Sequence, residues 1–199
     1  MTICLVTDRR RRPPAEQAAE AVDAGVDLIQ VRERDLETSD LAALVSQIVR
    51  IAGGSSTRVV VNDRLDVALA CEAHGVHLRG DSVPPARARS IAPPGFLIGR
   101  SVHALDEAAA VAPDVDYLIA GTVFPTSSKP GRTELLGTAG LAAIAGAVRV
   151  PVLAIGGIGV ERLADVSAAG AAGIAAVSLF TDSERPIKEV IRALRRGLT

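Results

Sequence analysis

The chain has 199 residues with a formal net charge of −1; 48% of its residues are hydrophobic, yet only 2% are aromatic and none is tryptophan. That length suits one domain over residues 1–199 with an aliphatic core. The near-neutral charge and scarcity of rings exclude nucleic-acid binding by base stacking and argue against general attraction to anionic lipid.

In chain order the sequence alternates short β-branched runs with alanine-rich stretches of helical length. ICLVT (3–7) is followed by a helix over 15–25, DLIQVR (27–32) by one over 40–53, and then come RVVVN (58–62), GVHLR (75–79) and FLIGRS (96–101). A helix over 106–112 precedes DYLIAG (116–121), and a long Pro/Gly/Ser/Thr-rich connection fills 122–137 before a helix over 138–148. PVLAIGG (151–157), a helix over 160–170, GIAAVS (173–178) and a basic amphipathic helix over 185–198 complete the chain. Eight continuously apolar strands alternating with helices predict α/β architecture, a compact single-domain (β/α)8 TIM barrel, with an open doubly wound sheet as the alternative.

No apolar run approaches the ~18 residues of a membrane span, and the first residues lead into a strand rather than a signal peptide. Cys4 and Cys71 lie in apolar stretches without metal-ligand spacing, so they read as buried free thiols in a reducing, cytoplasmic protein. Arg9 to Arg12 form a basic run that is either a solvated loop or a rim attracting anions.

In a barrel of this kind ligands sit at the C-terminal ends of the strands. Gln30, Arg32 and Arg34 alternate there after the second strand and so share one side. The third strand ends in Asn62 and Asp63, the fourth in His77, Arg79, Asp81 and Ser82, the fifth in Ser101 and His103. The long loop carries Thr122, Thr126, Ser128 and Lys129, while Gly156, Gly157 and Ser178 end the last two strands. Those glycines and Ser178 suit a phosphate monoester, because backbone N–H groups can approach it unobstructed. Arg32, Arg34, Asn62 and Asp63 read either as a diphosphate site with Mg²⁺ on Asp63 or as an ion-pair network closing the barrel mouth. Two facing anion sites suggest two phosphorylated substrates or one ligand phosphorylated at both ends. His77, inside a strand, reads as hydrogen-bonded in place.

Six segments in order, QVRER (30–34), NDRLDVAL (62–69), GVHL (75–78), GRSVH (99–103), DYLIAGTVFPTSSK (116–129) and PVLAIGGI (151–158), resemble the thiamine-phosphate synthase and TenI-like superfamily. The resemblance implies a barrel that joins a pyrimidine diphosphate to a thiazole phosphate and releases pyrophosphate. It implies that Gln30, Arg32, Asn62 and Arg34, the last in place of a lysine, hold the diphosphate substrate, that Ser101 and Lys129 reach its phosphates, and that Asp63 binds Mg²⁺. Thr126, Ser128, Gly157, Val177 and Ser178 would surround the thiazole phosphate. Two departures stand out: Ser82 occupies the position of a second magnesium-binding Asp, with Asp81 one residue early in a loop that can let it serve as that second Mg²⁺ ligand beside Asp63, and Arg79 replaces a glycine. Arg79 either binds pyrophosphate or fills its space. Arg32, Lys129, Ser101 and His103 are the candidate catalytic groups. His103 is the proton carrier if the chain is instead a thiazole-phosphate tautomerase of the TenI-like branch. A non-catalytic phosphate-binding protein is the third reading.

Overall fold

The computed structural model describes residues 1–126, 134–181 and 186–196. Eight parallel strands close into a barrel in sequence order: β1 (Thr2–Val6), β2 (Leu28–Val31), β3 (Arg58–Asn62), β4 (Gly75–Leu78), β5 (Leu97–Val102), β6 (Tyr117–Gly121), β7 (Val152–Ile155) and β8 (Gly173–Ala176). The outer layer comprises α1 (Pro14–Asp23), α2 (Thr38–Ala52), α3 (Leu65–Ala70), α4 (Pro85–Ile91), α5 (Leu105–Val111), α6 (Gly137–Ala147), α7 (Leu163–Ala168), α8 (Ser178–Thr181) and α9 (Ile187–Arg196). The α3, α4 and α8 segments have no counterpart among the expected helices.

Strand parity separates two apolar clusters. Cys4, Val6, Leu28, Val60, Tyr117, Ile119, Leu153 and Ala175 pack together and fill the barrel. Their neighbours of opposite parity, among them Ile3, Leu5, Ile29, Val59, Val61, Ile98 and Ile174, pack beneath the helices. Both strand faces are therefore apolar, which is why the strands read as unbroken hydrophobic runs. The filling depends on size matching: a side chain at Gly99 would collide with the ring of Tyr117, its register partner on β6. At the N-terminal end of the barrel Asp27 accepts from the Ile3 N–H at 2.8 Å and pairs with Arg195 of α9 at 3.2 Å, tying the last helix to the first strands.

The parity also settles what the polar residues of β2 do. Gln30 pairs in register with Val6 and Val60, both inward-facing, so Gln30 points into the barrel. Arg32, two residues on, follows the same side past the strand end.

Candidate active site

A cavity of about 130 Å³ opens at the C-terminal ends of the strands. Gln30, Arg32, Arg34, Asn62, Arg79, Ser101, His103 and Thr126 line it, and Gly156, Gly157, Val177 and Ser178 complete its wall. An adjoining cavity of about 120 Å³ shares Arg34, Asn62 and Arg79 with the first, and Asp63 lines only this second one. Asp81 lines neither. Ser128 and Lys129 lie outside the described residues.

One side of the main cavity is cationic. Burial, then repulsion by Arg34, lowers the basicity of Arg32, and Arg34 is lowered by burial and then by Arg79. Among the described residues neither Arg32 nor Arg34 forms an ion pair, so the network reading fails for these two side chains. Gln30 is 3% exposed, and its Nε2 has no hydrogen-bond partner among the described residues. A buried unpaired amide donor costs about 1–3 kcal/mol.

The backbone that carries Arg32 is pinned by residues whose role the sequence did not reveal. Thr7 donates its hydroxyl to Glu33 Oε1 at 2.6 Å and accepts the Arg32 N–H at 3.0 Å, while Glu33 Oε2 accepts the Arg9 N–H at 3.1 Å. Glu33 has the opposite parity to Arg32 and faces away from the main cavity; its burial raises its pKa, an effect opposed by these donors. The basic run is held by carboxylates: Arg9 and Arg10 pair with Asp35 at 2.8 and 3.1 Å, Arg11 with Asp8 at 3.3 Å and Arg12 with Glu20 at 2.6 Å.

A buried relay reaches the cavity from below. His77 Nδ1 is 3.2 Å from the Tyr117 hydroxyl, and His77 Nε2 is 2.8 Å from Ser101 Oγ. Burial lowers the His77 pKa to about 3 and raises that of Tyr117, so both are neutral. With the phenol donating to Nδ1, the imidazole proton lies on Nε2 and is donated to Ser101, leaving the serine proton for the cavity. His103 sits at the rim; its N–H donates to Glu107 at 2.7 Å, and its ring Nδ1 is 3.5 Å from the same carboxylate.

The opposite wall is made of backbone. Gly156 and Gly157 have φ of 102° and 63°, values that disfavour any side chain. A Cβ on Gly157 would strike Phe124 and the carbonyl of Pro125, so this glycine also admits the β6–α6 loop that carries Thr126. The Phe124 N–H donates to the Gly156 carbonyl at 3.0 Å, and Arg162 stacks over the Phe124 ring at 4.8 Å. Ser178 opens α8, a short extra helix after the eighth strand, whose first N–H groups lack intrahelical acceptors.

The carboxylates expected to hold Mg²⁺ are engaged by side chains. Arg79 donates to Asp63 Oδ2 at 3.2 Å and to Asp81 Oδ2 at 2.6 Å, and Ser82 donates to Asp63 Oδ1. Among the described residues no group of three or more His, Cys, Asp and Glu side chains could hold a metal. Arg79 takes one oxygen of each carboxylate and Ser82 the other oxygen of Asp63, so a divalent ion bridging Asp63 and Asp81 would have to displace these donors, and the arrangement as it stands does not fit one.

Comparison with known proteins agrees with this architecture. A family model described as thiamine monophosphate synthase matches residues 3–180. The thiamine-phosphate synthase of Pyrococcus horikoshii is 38% identical over 197 residues, covering 98% of this chain and 94% of the relative. That of Methanoculleus marisnigri is 40% identical over 195 residues, with 96% and 92% covered. The solved thiamine phosphate pyrophosphorylase of Pyrococcus furiosus superposes with a TM-score of 0.90 at 34% identity, covering 99% of this chain and 95% of that one. A 3-hexulose-6-phosphate synthase at 19% identity and a TM-score of 0.75 shares the fold alone. With the family match spanning most of the barrel and relatives aligned over nearly its full length, the chain belongs to the thiamine monophosphate synthase family.

Proposed function

We propose that this chain is a thiamine-phosphate synthase, a transferase that couples hydroxymethylpyrimidine diphosphate to hydroxyethylthiazole phosphate and releases pyrophosphate. The observation that carries the reading is one cavity lined by the guanidinium groups of Arg32, Arg34 and Arg79 and by Gly156, Gly157 and Ser178, the last three suited to a phosphate. Arg32 and Arg34 hold the diphosphate with Asn62 beside it, and the unpaired Gln30 amide binds the pyrimidine. The thiazole phosphate takes Gly156, Gly157, Thr126, Val177 and Ser178. Ser128 and Lys129 belong to the same reading by the resemblance, Lys129 toward the diphosphate.

The bond between the pyrimidine methylene carbon and the diphosphate oxygen breaks, its electron pair leaving with the diphosphate. The thiazole nitrogen lone pair then forms the new C–N bond to that carbon. No side chain acts as a nucleophile. Fixed cations that meet charge as it develops on the leaving group lower the barrier without reorganising, and loss of one such donor typically costs about 3–4 kcal/mol. The Ser101 hydroxyl, oriented by His77, adds a donor. Magnesium enters this reading as a counter-ion of the diphosphate in solution, and no step depends on its being held by Asp63 and Asp81. Its substrates are small phosphorylated molecules, and the free thiols of Cys4 and Cys71 suit the cytoplasm.

The test is turnover by purified protein given both phosphorylated substrates. Pyrophosphate and thiamine phosphate should appear in equal amounts, only when both substrates are present, and Arg32→Ala should abolish both. Isomerisation of the thiazole phosphate without pyrophosphate release, lost in His103→Ala, would overturn the reading in favour of a tautomerase. A thermal shift with thiazole phosphate but neither turnover would leave a binding protein.

A further inference from the structure

Arg79, one of three residues that line both cavities, is in contact with two carboxylates. Arg79 follows β4, and its two terminal nitrogens reach Asp63 at 3.2 Å and Asp81 at 2.6 Å. Its position is fixed from behind: the Arg79 N–H donates to Ser82 Oγ at 2.7 Å, and Ser82 donates in turn to Asp63. The side chain is one-third exposed, at 33%, and lines the main cavity as well as the adjoining one. It is close enough to Arg34 to perturb its basicity, so the three arginines share one electrostatic field.

Resting on the synthase reading, we propose that Arg79 is the resident cation of the diphosphate subsite, supplying from within the chain the charge that a divalent ion bridging Asp63 and Asp81 would otherwise bring. A guanidinium is permanently charged, and its planar fork matches phosphate oxygens as well as carboxylates. A metal ion bridging the two carboxylates would take an oxygen of each at ~2.1 Å and would there face the guanidinium that already holds Asp63 Oδ2 and Asp81 Oδ2. The two cations exclude each other, and the chain encodes one of them. Three arginines against two carboxylates leave one excess positive charge facing the cavity, and binding of diphosphate then draws Arg79 forward from Asp81, its more exposed partner, whose side chain is 69% accessible. Ser82 fits this exchange: at its position a hydroxyl buttresses Asp63 and adds no third negative charge.

The experiment has two arms, both without the organic substrates. In the first, pyrophosphate binding is measured calorimetrically in EDTA and in millimolar Mg²⁺. The wild type should bind within about twofold of the same affinity in both, whereas Arg79→Met should lose about tenfold or more in EDTA. Arg79→Lys, which keeps the charge and drops the fork, should fall between them, and thermal unfolding of each variant establishes that it is folded. In the second arm Mn²⁺ binding is read by electron paramagnetic resonance. The wild type should bind no stoichiometric Mn²⁺, Arg79→Gly should bind one ion, and adding Asp63→Asn should remove it. Wild-type pyrophosphate binding that vanishes in EDTA overturns the proposal, as does Mn²⁺ bound equally by wild type and Arg79→Gly, or by neither. Pyrophosphate binding by no variant under either condition defeats the synthase reading, and the Mn²⁺ arm then decides the role of Arg79 alone.

Discussion

Replacing Arg32 with Met separates a functional cation from a structural one. The substitution keeps an unbranched apolar stem and removes the charge, which in the free protein is partly desolvated and repelled by Arg34. Because Arg32 has no ion pair among the described residues, the folded protein should be unchanged or stabilised by up to ~1 kcal/mol, as when unsupported buried charge is replaced by apolar packing. For a chain of this length that corresponds to a thermal midpoint between unchanged and about 4 °C higher. Binding moves the other way. Loss of a charge-assisted contact worth about 1.5–3 kcal/mol predicts pyrophosphate affinity lower by roughly 10- to 150-fold. Differential scanning fluorimetry without ligand and calorimetry with pyrophosphate measure the two quantities on the same preparation. A midpoint lower by more than about 4 °C, equivalent to ~1 kcal/mol or more lost, would show that Arg32 holds the barrel mouth together and would refute the reasoning.

Gly157→Ala forces a left-handed backbone on a residue with a Cβ and drives it into the β6–α6 loop, so urea denaturation should show about 1–3 kcal/mol lost. Thiazole phosphate binding should weaken in that variant while pyrophosphate binding is retained. The folded His77 pKa lies near 3, below its unfolded value, so stability is fully present above the unfolded pKa and falls as pH drops from 6.5 toward 3. The loss should approach ~1.4 kcal/mol per pH unit, and His77→Gln should remove that component from the slope of stability against pH between about 6.5 and 4.5. Burial raises the Cys4 thiol to about 12, whereas Cys71 is only partly buried. Ellman's reagent at pH 8 should therefore titrate Cys71 in the native protein and both thiols in denaturant; rapid native reaction at Cys4 would contradict the packed barrel interior.

The barrel was legible because its strands are apolar on both faces, so each announces itself without needing a period. The same property hides what lies inside. Nothing in the residue types tells that Gly99 makes room for Tyr117, or that Tyr117 and His77 form a relay to Ser101, because these contacts join different strands. On β2 the alternation of Gln30, Arg32 and Arg34 was sufficient to direct them toward one rim, and parity alone could have assigned Glu33 to the other side. The loop after β4 was not legible in that way. Past the strand end the chain leaves the alternation of the sheet, so Arg79 and Ser82 take directions set by hydrogen bonds to Asp63, which follows a neighbouring strand, and Asp81 is held by Arg79. That is why two carboxylates read as magnesium ligands meet a guanidinium instead. The glycines after β7 and Ser178 were legible as a candidate phosphate site from their residue types, but the structural need for Gly157 emerged only from its contact with the loop after β6.

The central claim is that one cavity holds two anionic ligands at once, on opposite walls. Calorimetric titration of thiazole phosphate into protein already saturated with pyrophosphate tests it most directly. The account predicts one-to-one binding that leaves the bound pyrophosphate in place, seen as an unchanged thiazole phosphate affinity when the pyrophosphate concentration is raised further. Apparent affinity that falls in proportion to added pyrophosphate would mean a single shared anion site and would contradict it.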